Sequence, residues 1–464
     1  MKKLSRGAYE DTKGFLRVAE TLLEVLILTV IYYLVWKNGY DMFAFEYKGK
    51  YVLMGVYGLL MYLIFQNADC TMFGQLNRVD LIIGQIISLF LVNFITYFQL
   101  CLIGNALLSP IPIAKLLGIQ IVIAIVLILA YTTLYHKLYA PHNMLLIFGN
   151  RNSVGLKFKM DSRKDKYNIT GLISAEEGYD AIVSKIPKYD AVILNDVSAP
   201  LRNDILKFCY RYRVRTYVAP KLTDIMIRGA KNISLFDTPL LLVKGTGLTP
   251  AQRVGKRLMD IVLCAIAMIP AAPLMAIVAI AIKLEDGGPV FFKQKRMTRG
   301  GREFEILKLR CMIVYAEKYG GAVLATDDDP RSTKIGKIIR ATRLDEIPQI
   351  LNILKGDMSI VGPRPERKVI ADEYYKDIPE FAYRLKVRGG LTGYAQIYGK
   401  YNTSPYDKLR LDLMYIENYS FMQDIKLIIL TLRIMFSKES TEGIDKQLEN
   451  QRKIEELLKE LDAE

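Results

Sequence analysis

The sequence predicts a membrane protein in three parts. These are an α-helical membrane bundle, a small α/β domain built on a parallel sheet, and a mixed α/β domain held to the membrane by a re-entrant helix. Three observations carry this. Four apolar spans open the chain, and short apolar runs then alternate with helical patterns. A fifth apolar segment, interrupted by prolines and flanked by basic residues on both sides, leads into a long charged block. Composition agrees: over 464 residues, 51% are hydrophobic and 24% charged. With a mean hydropathy of +0.17, this excludes a disordered chain and argues against a wholly water-soluble one.

The 63 Lys and Arg outnumber the 48 Asp and Glu, for a net charge of +15. Such a surplus suits a membrane surface, phosphorylated substrates or nucleic acid. No nucleic-acid-binding motif is recognised, and the basic flanks of the apolar spans account for much of the charge, so no nucleic-acid partner is expected. The two histidines, His136 and His142, leave little room for a His-based triad or a His-rich zinc site. The five cysteines (Cys70, Cys101, Cys209, Cys264, Cys311) have no CxxC spacing, so neither disulfides nor zinc are indicated.

Residues 21–36, 51–66, 81–104 and 111–135 are the opening spans. A crossing takes about 20 residues for about 30 Å of hydrocarbon, so the first two need extension at their ends. No small-residue cleavage site follows the first span, which argues against a removed signal peptide. Lys2, Lys3, Arg6, Lys13 and Arg17 precede the spans; Lys137, Arg151, Lys157 and Lys159 follow them. The positive-inside rule puts both ends in the cytoplasm, and an even number of crossings agrees. Residues 1–138 therefore read as four transmembrane helices. Lys48 and Lys50 in the first loop depart from the rule, and Glu24 reads as an interfacial carboxylate.

Residues 139–245 read as the α/β domain. Strands are expected from Met144, at 168–173, at 191–194 and at 216–220, with a helix over 201–212. That alternation implies a parallel sheet covered by helices. Gly149 and Gly155 stand where a nucleotide-binding turn would be, but Gly149-Asn-Arg-Asn-Ser-Val-Gly155 lacks the full GxGxxG spacing. Packing, dimerisation or sensing is the better reading. Residues 237–250 read as a linker.

Residues 261–282 are apolar throughout. A straight helix of that length reaches about 33 Å, enough to cross. Yet Arg253, Lys256 and Arg257 stand before it, and Lys283, Lys293, Lys295 and Arg296 after it. A crossing would leave one basic cluster outside. Pro270 and Pro273 each remove a backbone donor and clash with the preceding turn. A helix broken there, entering and leaving by the same face over residues 256–283, satisfies both facts.

In the charged block, Lys308 and Arg310 fall on one side of a strand. Asp345 and Glu346 precede Pro348, which suits a first helical turn; Ile347, Ile350, Leu351 and Leu354 supply an apolar face and Gly356 a stop. The acidic pair thus sits at a helix N-terminus, with Arg331, Arg340 and Arg343 near in sequence. Such a string is either a capped surface helix or an anion-handling site. Arg364, between Pro363 and Pro365, is held for bidentate phosphate contact. The glycine-rich string from Arg388 reads as a loop that backbone and ligand can approach closely.

Residues 254–438 resemble the bacterial sugar transferase family, the monotopic phosphoglycosyl transferases. The matching strings are Lys256-Arg-Leu-Met-Asp260, Gly288-Pro-Val-Phe-Phe-Lys-Gln, Leu344-Asp-Glu-Ile-Pro-Gln, Gly356-Asp-Met-Ser-Ile-Val-Gly-Pro-Arg-Pro, Leu391-Thr-Gly-Tyr-Ala-Gln and Tyr415-Ile-Glu-Asn-Tyr-Ser. The four spans and the α/β domain resemble the family's long subgroup, in which that domain is Rossmann-like. Two departures are mild: Ala272 stands where the family commonly has serine before the breaking proline, and Gly389 and Tyr394 replace a usual proline and tryptophan.

The resemblance implies a monotopic catalytic domain over 246–438 that transfers a sugar-1-phosphate from a UDP-sugar to undecaprenyl phosphate, releasing UMP. The product would start exopolysaccharide, capsule or O-antigen repeat units. It implies Asp345 as covalent nucleophile, Glu346 as its catalytic partner, Mg2+ at Asp345 and Glu346, and Pro273, next to Pro270, as the re-entrant break. Lys308, Arg310, Arg331 and Arg364 are then the candidate phosphate contacts. The expected location is the bacterial inner membrane, multi-pass, with the catalytic domain on the cytoplasmic face. Residues 425–436 suit the membrane interface, and 439–464 an amphipathic C-terminal helix. A homodimer is compatible with this, and nothing in the sequence names the sugar. Two rivals stand beside it: a glycosyltransferase releasing UDP through Asp327, Asp328 and Asp329, and a non-catalytic membrane assembly or regulatory protein.

Overall fold

The computed structural model describes residues 4–40, 48–150, 154–161, 163, 165–234, 237–314, 331–399 and 403–435, with side chains from Gly14 onward. The acidic triplet Asp327–Asp329 and the C-terminal tail 439–464 lie outside the described residues. The chain divides into two compact units, one running to Ala219 and the next beginning at Pro220.

The first unit opens with α1 (Leu4–Gly39), α2 (Gly49–Asn67), α3 (Arg78–Ile103) and α4 (Ile111–Leu138). Each contains a stretch long and apolar enough to cross a membrane. Leu26, Val52, Phe94 and Val122 are among the apolar side chains left exposed on the outside of the bundle. Inside, Gln120 joins all four helices: it donates to the Leu28 carbonyl at 3.1 Å, shares hydrogen bonds with the Tyr57 hydroxyl, and accepts from Asn93 at 2.8 Å. Apolar packing alone does not drive helices together in lipid, and such polar contacts contribute to holding them. Glu24 corrects the sequence reading: it is fully buried in the bundle and not interfacial. It shares a helix face with Glu20 one turn away, a spacing that points both inward.

The α/β part follows as β1 (His142–Phe148), α5 (Gly155–Asp161), β2 (Tyr167–Ser174), α6 (Gly178–Lys185), β3 (Ala191–Asn195), α7 (Ala199–Arg211) and β4 (Arg215–Val218). All strand pairs are parallel, in the order β2-β1-β3-β4. Leu145, Ile147, Val192 and Leu194 pack against Ile182 and Ile205 on one face. Met144, Leu146 and Ile193 pack against Leu156 and Met160 on the other. Burial on both faces is why β1 and β3 read as continuous apolar runs. Gly149 donates to the Asn195 carbonyl at 3.0 Å, and a Cβ there would lie 2.0 Å from the Asp196 carbonyl oxygen. Close backbone packing alone therefore accounts for that glycine.

The second unit contains α8 (Leu222–Arg228) and an antiparallel pair, β5 (Lys231–Ile233) and β6 (Leu240–Leu242). Part of the expected linker 237–250 is thus strand. Next come α9 (Pro250–Asp286), β7 (Phe291–Met297), β8 (Glu303–Leu309), α10 (Lys334–Ala341), α11 (Gln349–Lys355), β9 (Ser359–Val361) and α12 (Lys368–Asp377). The described part closes with β10 (Gly390–Thr392), α13 (Tyr394–Tyr398), α14 (Pro405–Glu417) and α15 (Phe421–Met435). β7 and β8 form an antiparallel ribbon, and β9 and β10 a short parallel pair. The main core gathers Leu222, Ile225, Val361, Phe381, Leu409, Leu413 and Leu427. Leu427 and Leu430 are fully buried, so α15 belongs to the core along one face and is not simply an interfacial helix.

α9 carries Pro270 and Pro273 inside a single helical element, so the break expected at these prolines is not seen: the helix runs through both, each proline removing only its own backbone donor. Thr249 and Gln252 cap its start reciprocally, and Gly287, in left-handed conformation, ends it. Both of its ends rest on the same ribbon and its neighbours. Cys264 packs with Phe304 and Ile306; Leu274, Val278 and Ile282 pack with Leu309 and Ile339. Between these contacts Ile266 and Ile269 are exposed.

Candidate active site

The site is assembled where the end of β8 meets the segment leading into α11. Phe304 and Ile306 of β8 point toward α11, where Ile353 receives them. Alternation along a strand puts Lys308 on that same side. Asn352 sets the register between the two elements: its amide donates to the Glu305 carbonyl at 2.8 Å and its oxygen accepts from the Leu307 N–H at 2.9 Å. That clamp brings the residues preceding α11 beside Lys308. Nothing in the pattern of the sequence marked Asn352; its one signal is a polar side chain, with Gln349 one turn earlier, on the buried face of a short helix.

Asp345 and Glu346 lie in a short 3₁₀ turn, Leu344–Glu346, immediately before Pro348 and α11. Arg343, at φ +55°, makes the turn into it, a strained conformation for a residue with a Cβ and one often stored at functional sites. Lys308 Nζ donates to Asp345 Oδ2 at 3.0 Å and to Glu346 Oε1 at 2.9 Å. Arg364 stands 3.5 Å from Glu346 Oε1 and is 47% exposed. Both carboxylates are mostly sheltered, so their titration diverges. Burial is the largest influence on Asp345 and pushes its pKa up, with the charge of Glu346 adding to it against Lys308. Burial acts the same way on Glu346, but Lys308, Arg364 and Arg343 outweigh it together and hold that carboxyl at about 2. The nearby Cys311 thiol is pushed up to about 12 by burial and by the charge of Asp345, so it stays protonated at neutral pH.

Arg364 is positioned from behind. The Arg384 guanidinium donates to the Arg364 carbonyl at 3.1 Å and to Asp412 Oδ2 at 2.7 Å, and it lies 3.8 Å from Glu366. Burial pushes the Asp412 pKa up against the pull of Arg384. The loop carrying Arg364 is also locked by glycines. Gly362 donates to the Thr392 carbonyl and Gly390 to the Pro363 carbonyl, and a Cβ on Gly390 would lie 2.1 Å from the Gly362 nitrogen. Here backbone approaches backbone, where the sequence reading expected backbone to approach a ligand.

The structure thus brings Lys308 and Arg364 to the acidic pair. It places Arg310 elsewhere: buried, with a fork that binds Asp286 through both oxygens and an Nε that donates to the Pro289 carbonyl at 2.7 Å. That pairing holds the Asp286 carboxyl at about 2 and ties the end of α9 to the end of β8. Arg331 is held by its backbone, its carbonyl accepting from the Ile313 N–H beside the Met312–Ser332 bridge. Among the described residues no group of three or more acidic, His or Cys side chains converges as a metal site. Asp345 Oδ2 and Glu346 Oε1 do converge on a single point, the one Lys308 fills. Two carboxylates meeting on one cation match the protein share of a magnesium–diphosphate site, in which substrate phosphates and water supply the remaining ligands.

Comparison with known proteins bears on this arrangement. The profile of the family described as bacterial sugar transferase matches residues 251–438. A UDP-N-acetylgalactosamine-undecaprenyl-phosphate N-acetylgalactosaminephosphotransferase of Aeromonas hydrophila is 37% identical over 262 residues, 54% of this chain and 60% of that protein. A UDP-glucose:undecaprenyl-phosphate glucose-1-phosphate transferase of Caulobacter vibrioides is 40% identical over 211 residues, 44% of this chain and 78% of that protein. A protein of the same description from Xanthomonas campestris is 35% identical over 236 residues, 49% of each chain. The match thus spans 60% of the Aeromonas relative and about half of the Xanthomonas one.

Proposed function

The chain belongs to the bacterial sugar transferase family, and from that premise we propose that it transfers a sugar-1-phosphate from a UDP-sugar to undecaprenyl phosphate and releases UMP. The observation that carries the reading is the acidic pair bridged by Lys308 and flanked by Arg364. The Asp345 carboxylate attacks the phosphorus bonded to the sugar. The bond from that phosphorus to the bridging oxygen breaks, and UMP leaves with the oxygen. A phosphosugar ester on Asp345 remains. An oxygen of the lipid phosphate then attacks the same phosphorus, and the bond to Asp345 breaks, restoring the carboxylate. Covalent catalysis of this kind lets a water-soluble and a lipid-bound partner react in turn.

Each side chain has a part in this. Burial leaves Asp345 the more basic carboxylate of the two, which suits a nucleophile. Glu346, held ionised, keeps Lys308 and Arg364 aimed at the diphosphate. Those two cations offset the repulsion between carboxylate and diphosphate and stabilise charge on the departing UMP. Asp345 and Glu346 would hold Mg2+, which when bound supplies further positive charge to the phosphate oxygens.

The re-entrant reading is supported by the basic residues on both flanks of the apolar stretch of α9 and by its exposed apolar side chains. Exposed Ile266 and Ile269 then lie in lipid, and the site faces the cytoplasm of the inner membrane, where nucleotide sugars are made. The product would begin an exopolysaccharide, capsule or O-antigen unit.

The test is to incubate the full chain with single UDP-sugars, Mg2+ and undecaprenyl phosphate. UMP release is expected, and the productive donor names the sugar; release of UDP would favour the glycosyltransferase rival. Mass spectrometry of protein quenched without lipid should find a phosphosugar on Asp345. An unmodified Asp345 peptide under confirmed turnover would refute the covalent route.

A further inference from the structure

We propose that a basic cleft at the start of α9 binds the phosphate head of an anionic membrane phospholipid, at a site separate from the catalytic pair. The proposal rests on reading α9 as embedded in the membrane, and is independent of the covalent route.

The cleft is a cavity of about 450 Å³ between the first three turns of α9, the β7–β8 turn and the segment entering β10. Six cations line it: Arg253, Lys256, Arg257, Arg299, Lys386 and Arg388. The one carboxylate in its lining, Asp260, is buried and already accepts from the Ser359 hydroxyl at 2.8 Å and the Ile360 N–H at 3.1 Å. Four of the cations are engaged. Lys256 is 2.6 Å from Asp424 and Lys386 is 3.6 Å from Glu417; Arg253 and Arg257 donate to backbone carbonyls. Among the described residues, Arg299 and Arg388 have no hydrogen-bond or ion-pair partner. Burial, then the charges of Arg257, Arg299 and Arg302, pull the Arg388 pKa down. Like charges gathered in a half-sheltered cleft without an anion are unfavourable, and a phosphate would offset that.

Apolar side chains on the same helix say which phosphate. Val254 and Leu258 are exposed, Ile261 is partly so, and all three lie on α9 as it enters its apolar stretch. Cations above an apolar helix face match an amphiphile with an anionic head and an acyl tail. Neither Asp345 nor Glu346 lines the cleft; Arg257, which does, donates to the Ile353 and Leu354 carbonyls at the end of α11 farther from Asp345.

Native mass spectrometry of the full chain in detergent, titrated with phosphatidylglycerol or phosphatidylcholine, tests this. The wild type should retain phosphatidylglycerol in preference. R299Q/R388Q should retain it about tenfold less, while K376Q, an exposed charge loss on α12, should not change retention. R299Q alone, at an exposed turn, should lose part of the retention and guards against misfolding of the double variant. Asp345→Asn should keep the lipid, so failure of the catalytic reading does not touch this one. Equal retention by wild type and R299Q/R388Q would overturn the proposal. So would equal retention of phosphatidylcholine, displacement by inorganic phosphate at matched concentration, or preference for undecaprenyl phosphate at the same arginines.

Discussion

Two ion clusters in the second unit use the same chemistry to different ends. Around Asp424, Lys256 lies 2.6 Å from one carboxylate oxygen and the Tyr415 hydroxyl donates to the other at 2.8 Å. The Asp424 side chain has no exposure, and burial pushes its pKa up against the pull of Lys256. That cluster joins α9, α14 and α15, and every polar group in it is matched. Around Asp345, one ammonium is shared between two carboxylates, and Arg364 stands half in solvent. Among the described residues no donor reaches Asp345 Oδ1 or Glu346 Oε2. A closed cluster holds elements together, because its partners repay desolvation only while all are present. An open one leaves a carboxylate oxygen uncovered and a guanidinium half in solvent, as the proposed substrate contacts require.

Exchanging the damage between the clusters is the strongest way to break this contrast. Asp345→Asn should lower transferase activity about a thousandfold or more and leave thermal unfolding nearly unchanged. Asp424→Ala should do the reverse, costing about 3–5 kcal/mol because Lys256 is left buried and unpaired, while the folded fraction keeps its kcat. Thermal unfolding beside UMP release measures both. If the two variants behaved alike, the distinction would fail.

Smaller changes sharpen it. Arg364→Ala removes the half-exposed cation beside Glu346 and, on the proposed phosphate contact, should raise KM for the donor about tenfold to a hundredfold, as loss of one charged hydrogen bond implies, with little effect on stability. The pH dependence has a definite sign. In the proposed reaction Asp345 attacks in its ionised form, and its pKa is raised, so kcat/KM should fall as pH drops through that raised value. Lys308→Met removes the main cation holding that pKa down, so the acid limb should move to higher pH. Arg364→Gln should leave the limb in place, since its charge acts chiefly on Glu346. The smallest effect belongs to a neutral network. Gln120→Leu in the membrane bundle should cost about 1 kcal/mol and leave UMP release intact, read by thermal unfolding and activity in the same detergent.

Much of the architecture was legible because its signals are local. Apolar spans, alternating strands, capped helix ends and the stop at Gly356, at φ +97°, each depend on residues a few positions apart. The parallel strands of the α/β part follow from short apolar runs bounded by turns, with ends differing by one or two residues from the pattern. The pairing of Asp345 with Glu346 was likewise visible in the chain, as was the restraint of Arg364 by prolines on both sides.

What the chain could not show is which cation meets which anion. Lys308 and Arg310 read as equals two positions apart, yet one reaches the acidic pair and the other clamps the end of α9. The partners that decide this are 37 and 24 residues away, and those of Lys256 and Asp424 are 168 apart. Glu24 looked interfacial from its place in the span, and helix packing buried it. Periodicity specifies which face of an element is apolar; it carries no information about the register in which two faces meet. Here that register was set by Asn352 between β8 and α11, and by Gly362 against Gly390, so only the folded chain could bring Lys308 and Arg364 to the carboxylate pair.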